Sequence, residues 1–436
     1  MKLLRSSKSR SLASLLPRIS LAALGFTLAV APVIWAQGQG SLSQDEREAI
    51  KHLVQRVEEL ESQVNQLKAE LSKSATRTLE PAAVVESGKP EDRGEVSTEV
   101  SSIHQKTADE GLPQGAPRSQ LHWFADVGYR ASDAKGAHTA FLLGQVDLFT
   151  TSRLSEQTSV LAEIVMKANS DNRFVTNVER ILLQYSPSDY FNIAAGRYHT
   201  AIGYYNTQYH HGAWFETAIN RPLIFAPTGG LIPIHNVGVS VNGRIPSGGL
   251  GLRYLAEIGN GQASRSTTAE PTQNLTDEDN HKAFNLGILA RPAWSPGLQA
   301  GFSVYRDRLM PPGSPSVGHT LMAAHLILRT SSYEWLSEAI VARNGLGNTG
   351  LVYHTPGFYI QGARRFDRVW PYFRYQYVNA PGGDPVFGTL GRRQGPSFGV
   401  RFDIDEFAAF KLQYDRLARR QLDAINSISA QLAFTF

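Results

Sequence analysis

The sequence predicts an all-β protein: a 16-stranded antiparallel transmembrane β-barrel preceded by a signal peptide and a short coiled-coil helix. Three observations carry this. From Leu121 to the C-terminus, apolar and polar residues alternate with a period of two. The connections between the alternating segments are short on every second occasion and tend to be long in between. One face of the segments carries charges throughout, which the core of a packed sandwich does not accept.

The first strand sets the pattern: Leu121, Trp123, Ala125, Val127 and Tyr129 interleave with His122, Phe124, Asp126, Gly128 and Arg130. It recurs at Leu142–Leu148, Val160–Met166, Ile181–Tyr185 and Phe191–Ala195. After a long interruption come Val237–Val241, Leu250–Ile258, Phe284–Ile288, Leu298–Val304, Met322–Leu328, Trp335–Val341, Phe358–Gly362 and Phe373–Tyr377. Phe398–Phe402, Phe410–Tyr414 and Ile428–Phe436 complete the set. One residue is out of phase near Arg197 and another near Arg364, so bulges or register shifts are expected there. Ser186-Pro187-Ser188-Asp189, Pro246-Ser247-Gly248-Gly249 and Thr330-Ser331-Ser332 read as tight turns. The longer connections are 199–235, 259–281, 306–318 and 379–395. In a bilayer every backbone polar group needs a partner, and a closed barrel provides it without helices. A soluble β-propeller is the competing fold, and no repeat supports it.

The first 36 residues read as a signal peptide (1–36). Lys2, Arg5, Lys8, Arg10 and Arg18 precede an apolar stretch from Ile19 to Ala31, and Ala36 is a candidate last residue before cleavage. The alternative is an uncleaved anchor, for which the apolar core is short. Without this segment the net charge falls from +4 to −1, so the basic pI of about 9.1 gives no support for nucleic-acid binding. There is no cysteine, which excludes disulfides and thiolate metal sites.

Residues 41–73 read as a coiled-coil stalk. Ile50, Val57, Val64 and Leu71 fall at heptad position a, and Leu53, Leu60 and Leu67 at d. A helix this short needs partners. β-branched residues at a with Leu at d lean towards two strands, whereas Arg56-Val57-Glu58-Glu59-Leu60-Glu61 resembles a trimerisation motif; the trimer is favoured. A helix packed on its own domain is the third option. Residues 74–118 lose all periodicity, are rich in Glu, Ser, Pro, Gly and Lys, and read as a flexible linker. The barrel then spans 119–436.

The long interruption, 199–235, reads HTAIGYYNTQYHHGAWFETAINRPLIFAPTGGLIPIH from His199 to His235. It has too many aromatic and apolar residues for disorder, so it reads as a long loop folded against the rest of the barrel. His199, His210, His211, Trp214, Glu216 and Arg221 are its candidate functional residues. The histidines with Glu216 have the chemistry to bind Zn²⁺ or Cu²⁺; the competing reading is that they hydrogen-bond the loop to the wall, with Trp214 and Phe215 packed behind and Arg221-Pro222 forming a fixed turn. No metal site is assigned. A hydrolase is disfavoured: there is no G-x-S-x-G and no Ser beside these histidines.

The chain ends Gln431-Leu432-Ala433-Phe434-Thr435-Phe436, which resembles the C-terminal signal read by the outer-membrane barrel-assembly machinery. Together with Tyr185-Ser186-Pro187, the run Ala195-Gly196-Arg197-Tyr198-His199-Thr200-Ala201-Ile202-Gly203 and Tyr209-His210-His211-Gly212, the chain resembles the trimeric outer-membrane porins, and within them the phosphate-selective porin O and P family and its relatives with an N-terminal coiled coil. The resemblance implies a homotrimer in the bacterial outer membrane with the stalk in the periplasm, a loop after the fifth strand that folds into the lumen, and lumen charges that set selectivity. Inward phase places Arg130, Lys167, Arg180, Arg253, Arg329, Arg374, Arg401 and Lys411, with Asp126 and Glu163, as pore-lining candidates. The family's lysine cluster is missing, since only Lys135, Lys167, Lys282 and Lys411 follow residue 118. The expectation is therefore passive diffusion of small hydrophilic solutes with a weak anion preference, without a cofactor. The alternative is a structural tether that joins the outer membrane to the cell wall through the stalk. If Arg180 and Arg374 face the lumen, changing either to Glu moves selectivity towards cations, measured as a permeability ratio in a salt gradient.

Overall fold

A computed structural model describes residues 118–169, 171–209, 212–264 and 275–436. The signal peptide, the stalk, the linker, His210 and His211 lie outside them.

Sixteen strands run in chain order: β1 (Arg118–Ser132), β2 (Ala140–Arg153), β3 (Thr158–Ala168), β4 (Phe174–Ser188), β5 (Phe191–His199), β6 (His235–Arg244), β7 (Leu252–Gly259), β8 (Ala283–Ala290), β9 (Leu298–Leu309), β10 (Val317–Arg329), β11 (Tyr333–Leu346), β12 (Val352–Arg364), β13 (Val369–Asn379), β14 (Arg392–Asp403), β15 (Ala408–Arg419) and β16 (Leu422–Thr435). Each pairs antiparallel with its chain neighbours, and β1 pairs with β16 to close the barrel. Phe436 completes the seam: its N–H donates to the Trp123 carbonyl at 3.1 Å, Trp123 N–H donates to the Phe436 carbonyl at 3.0 Å, and the two rings stack 6.1 Å apart. Each predicted strand lies within or overlaps one observed strand, because a half-wetted wall forces the same two-residue period on every one.

The rim that carries the barrel's two chain ends has mostly short connections, such as 154–157, 189–190, 330–332, 365–368 and 404–407. The opposite, far rim carries the long ones at 200–234, 260–282 and 380–391; its remaining connections are shorter, the tightest being the 420–421 turn, where Gln421 takes a φ of 57°. Two local expectations need correction. Ser186-Pro187-Ser188 stays in β4, and the turn falls at Asp189-Tyr190. A register shift between Tyr185 and Ser188 absorbs Pro187, which has no N–H for the ladder. No bulge occurs at Arg197 or Arg364. Gly196, with φ of 139°, takes up the phase slip at Arg197; a Cβ there would sit 2.1 Å from the Ile181 carbonyl oxygen. Arg364 simply points out at the rim, its guanidinium 5.4 Å from the Tyr333 ring centre. The other shifts are at Ala125/Val127, Glu163/Ile164 and Leu417/Arg419.

The exterior is an apolar band: Leu286, Phe302, Leu326, Phe373, Phe398, Leu412 and Leu432 are all exposed. Side chains half exposed on an otherwise apolar cylinder fit contact with hydrocarbon. The buried core lies inside the cylinder, where the 200–234 segment enters the lumen and packs on β9–β13. Ala339 lies midway up this band on β11, between Ala324 and Phe358. Ala339→Arg is expected to cost about 2–4 kcal/mol in lipid, read as a lower urea midpoint for refolding into vesicles, whereas Asn242→Arg on the half-buried inner face of β6 should be better tolerated; equal costs would contradict the assignment of the outer face to lipid.

Candidate pore constriction

Residues 200–234 leave β5 at the far rim, descend into the lumen and return at β6. A short helix, α1 (Tyr205–Gln208), and a 3₁₀ turn at Leu223–Phe225 are the loop's only regular elements among the described residues. Ile202, Tyr205, Ile224, Phe225, Leu231 and Ile232 are fully or nearly fully buried against Tyr305, Leu321, Ile327, Leu336, Ile340 and Tyr359 of the wall. Each large apolar side chain so buried contributes roughly 1.5–3 kcal/mol. The inner faces of β10 and β11 thus carry an apolar cluster, unlike those of a water-filled cylinder.

The loop's backbone needs hydrogen-bond partners, and wall side chains supply them. Glu338 accepts from Tyr204 N–H (2.5 Å), Tyr205 N–H (2.8 Å) and Tyr359 Oη–H (2.7 Å). Glu257 accepts from Ala201 N–H at 3.2 Å and from Asn285 Nδ2 at 2.8 Å. Gln413 and Gln376 accept from Ile219 N–H (2.8 Å) and Leu223 N–H (3.0 Å). Cations cap the loop's carbonyls in turn. Arg374 donates to Asn220 O, Arg401 to Trp214 O and to Glu216 O (3.1 Å), and Lys411 to Ala213 O and Ala218 O. Asn206 bridges the two legs of the loop, donating to Thr200 O at 2.8 Å and Ile234 O at 3.0 Å.

These contacts change the roles of two residues expected at the pore. Arg374 and Lys411 point inward, but they are 1% and 0% exposed and lie behind the loop. They are loop anchors, because a chain segment from elsewhere has come between them and the water. Arg401 is partly in the same class, its remaining edge facing Asp403 at 2.6 Å and the Trp214 ring at 5.7 Å. Glu216 is buried and accepts from Tyr205 Oη–H at 2.5 Å; burial pushes its carboxyl above the usual range against the pull of Arg221 and Lys411. Trp214 is half-buried and meets Phe215 edge to face. At the loop's root His199 and His235 are register partners with rings 5.1 Å apart, and His235 Nε2 lies 2.9 Å from Glu179. Among the described residues no group of three or more histidine or carboxylate side chains is placed to hold a metal ion.

On the other side of the loop a cavity of about 440 Å³ remains. Leu161, Leu182, Leu255 and Leu289 form part of its wall, and Tyr209, Trp214 and Phe215 its loop side. Its charges are Arg180, Arg253, Arg291, Arg329 and Arg401 with Glu163, Glu257, Glu334 and Asp403.

No protein-family model and no curated protein matches the chain. Solved structures do match in fold. An anion-selective porin from Comamonas acidovorans matches at 10% identity over 74% of this chain and 100% of its own, with a TM-score of 0.55. The outer-membrane channel DcaP of Acinetobacter baumannii matches at 10% identity over 74% and 99%, TM-score 0.53. OmpT, an outer-membrane protein of Vibrio cholerae in its trimer form, matches at 13% identity over 74% and 100%, TM-score 0.50. The barrel shares its architecture with these proteins.

Within the cavity each acid has a partner. Glu163 meets Arg180, Glu334 lies 3.4 Å from Arg329 and accepts from Gln361, and Asp403 pairs with Arg401. Arg291 donates to the neutral amide of Gln299 at 2.8 Å. Arg253 forms no ion pair among the described residues, which leaves a positive charge on β7. Arg130 sits on the inward phase of β1 at the far rim and is exposed, Asp126 accepts from Gln145 N–H and Gln431 Nε2 (both 3.0 Å), and Lys167 is half-buried beside the loop's root. The sequence offered a signal for the covered wall: Leu321-Met322-Ala323-Ala324-His325-Leu326-Ile327-Leu328 is apolar on both phases, as in strands buried on both faces.

Glu338→Ala strands two loop N–H groups at about 1–3 kcal/mol each. Glu338→Ala and Arg374→Glu are both expected to raise open-channel noise and speed proteolysis within 200–234; quiet channels and an intact loop in both would contradict the anchoring role.

Proposed function

We propose that the chain is an outer-membrane porin, a passive channel for small hydrophilic solutes with a weak anion preference. The observation that carries this reading is the closed 16-strand barrel, apolar outside, whose inward loop leaves a charged cavity of about 440 Å³ beside it. A barrel that only anchors a protein has no need of a charge-lined cavity in its lumen. Electrostatics at a narrow point selects ions without a covalent step, and Arg253 biases it towards anions. Architecture shared with an anion-selective porin and with an outer-membrane channel supports the same reading.

In this account residues 1–36 are removed on export, 41–73 form a periplasmic coiled coil, 74–118 link it to the barrel, and 119–436 insert through the barrel-assembly machinery. The working unit is a homotrimer, in keeping with the heptad seam from Ile50 to Leu71 and with the fold shared with a barrel known in a trimer form. That seam also sustains a second role, attachment of the outer membrane to the cell wall, which is compatible with conduction.

The test is single-channel conductance of the purified protein in planar bilayers under a salt gradient. Openings in three equal steps with a modest anion preference are expected; absence of any conductance would overturn the channel and leave the tether. Arg253→Glu is expected to shift the anion-to-cation permeability ratio towards cations by roughly two- to fivefold, since a unit charge about 4 Å from an ion in a water-like medium is worth about 1 kcal/mol. An unchanged ratio would remove Arg253 from the conducting path.

A further inference from the structure

The barrel's exterior carries one feature that solute passage does not use. Arg306 on β9, Thr320 on β10, Arg343 on β11 and His354 on β12 are direct register partners in one row across four strands. All face outward, since their chain neighbours Tyr305, Asp307, Leu321, Ala342, Asn344 and Thr355 are buried inside. Arg306, Arg343 and His354 are exposed. One step closer to the far rim the next row holds Arg308, Gly318 and Gly345. The two glycines leave the surface open between the arginines: a Cβ on Gly318 would meet only the Gly345 carbonyl oxygen, at 3.8 Å, and the Arg343 Nη1 lies 3.8 Å from where a Gly345 Cβ would be. Arg306 and Arg343 stand two strands apart, roughly 10 Å, a span that two long guanidinium side chains close on one anion.

Their partners also set this row apart. Arg308 donates to His281 Nε2 at 2.7 Å and Ser316 Oγ at 3.3 Å, and His281 is backed by Asp279 at 3.8 Å. Arg306 and Arg343 form no ion pair or hydrogen bond with other side chains among the described residues. By contrast, Arg416, another outward arginine near the far rim, donates to Asn426, which in turn is held by Asp133. Two guanidinium groups facing one open patch without a carboxylate repel each other unless an anion lies between them.

Their height identifies the anion. Below the row, β9–β12 present Val304, Met322, Val341 and Pro356, then Phe302, Ala324, Ala339 and Phe358. The apolar band ends near the opposite rim at Trp335 and Tyr333. From Tyr333 to Arg343 along β11, the strand climbs roughly 25 Å parallel to the barrel axis, at about 3.3 Å per residue and a tilt near 40°. That equals the height of the hydrocarbon belt of such barrels, about 25 Å. The arginines therefore stand at the level of the headgroup phosphates of the leaflet at the far rim, which is the outer leaflet if the chain is an outer-membrane porin.

We infer that Arg306 and Arg343, with Gly318, Thr320 and Gly345 as the floor between them, seat a phosphate monoester of an outer-leaflet glycolipid. Guanidinium groups bind phosphate oxygens bidentately, and the lipid's acyl chains would run down the apolar rows beneath. This inference rests on the membrane orientation given above, and it is independent of solute selectivity.

The test is native mass spectrometry of the full-length protein in detergent, titrated with bis-phosphorylated lipid A, with the same lipid after dephosphorylation, and with inorganic phosphate as competitor. Wild-type protein should retain bis-phosphorylated lipid A at least about tenfold more tightly than the Arg306→Gln/Arg343→Gln double variant. Arg364→Gln, which removes an outward arginine at the opposite rim, should behave as wild type, and millimolar phosphate should not displace the lipid. Equal retention by wild type and double variant, or equal binding of the dephosphorylated lipid, would overturn the site; displacement by inorganic phosphate would overturn its assignment to a lipid. The double variant should conduct like wild type. Loss of selective retention in a conducting protein thus contradicts the lipid seat alone, and a wild type that retains lipid without conducting contradicts the channel alone.

Discussion

The structure depends on how a loop with a full set of backbone polar groups can be held inside a barrel. Residues 200–234 leave the sheet that would have paired them, and each buried N–H or C=O without a partner is costly. The wall answers with side chains of matching sign. Carboxylates and amides (Glu338, Glu257, Gln376, Gln413) accept from loop N–H groups, and cations (Arg374, Arg401, Lys411) donate to loop carbonyls. Much of the charge on the inner wall therefore serves the loop, and only the remainder faces the cavity.

That division explains why one barrel has two kinds of interior. On β9–β13 the inner face carries a cluster of apolar side chains that the loop covers, giving a core of the kind found in globular proteins. On β3–β8 the inner face stays at a cavity, with leucines between the arginines. The constriction is consequently set by packing as well as by charge. A loop fixed by an apolar core and by polar contacts with the wall gives the cavity a defined width, and Arg253 lies beside it.

The strands were legible in the sequence because period-two alternation reports directly which face meets lipid. The loop was legible as an interruption, since the alternation fails at Thr200 and resumes at Val237. What alternation cannot report is what meets an inward residue. Arg374 and Arg180 share the same phase, yet Arg374 ends under Asn220 and Arg180 beside Glu163 at the cavity. The contact partner comes from more than 150 residues away, and no local pattern encodes it. The break in phase at Arg197 was visible, but its cause, the backbone of Gly196, was not. His210 and His211 fall outside the described residues.

The most direct test of the account is a covalent tie between loop and wall. The chain has no cysteine, so Asn220→Cys with Asp415→Cys introduces a single pair where the Asn220 Nδ2 now donates to Asp415 Oδ2 at 2.8 Å. If the loop rests inside the barrel as described, a short bis-methanethiosulfonate reagent will cross-link the pair in membranes, since the gap exceeds what a direct disulfide spans, and single-channel conductance will be the same before and after reduction of the link. Failure to cross-link, or a conductance that changes severalfold when the tie is reduced, would mean that the conducting barrel holds its loop elsewhere.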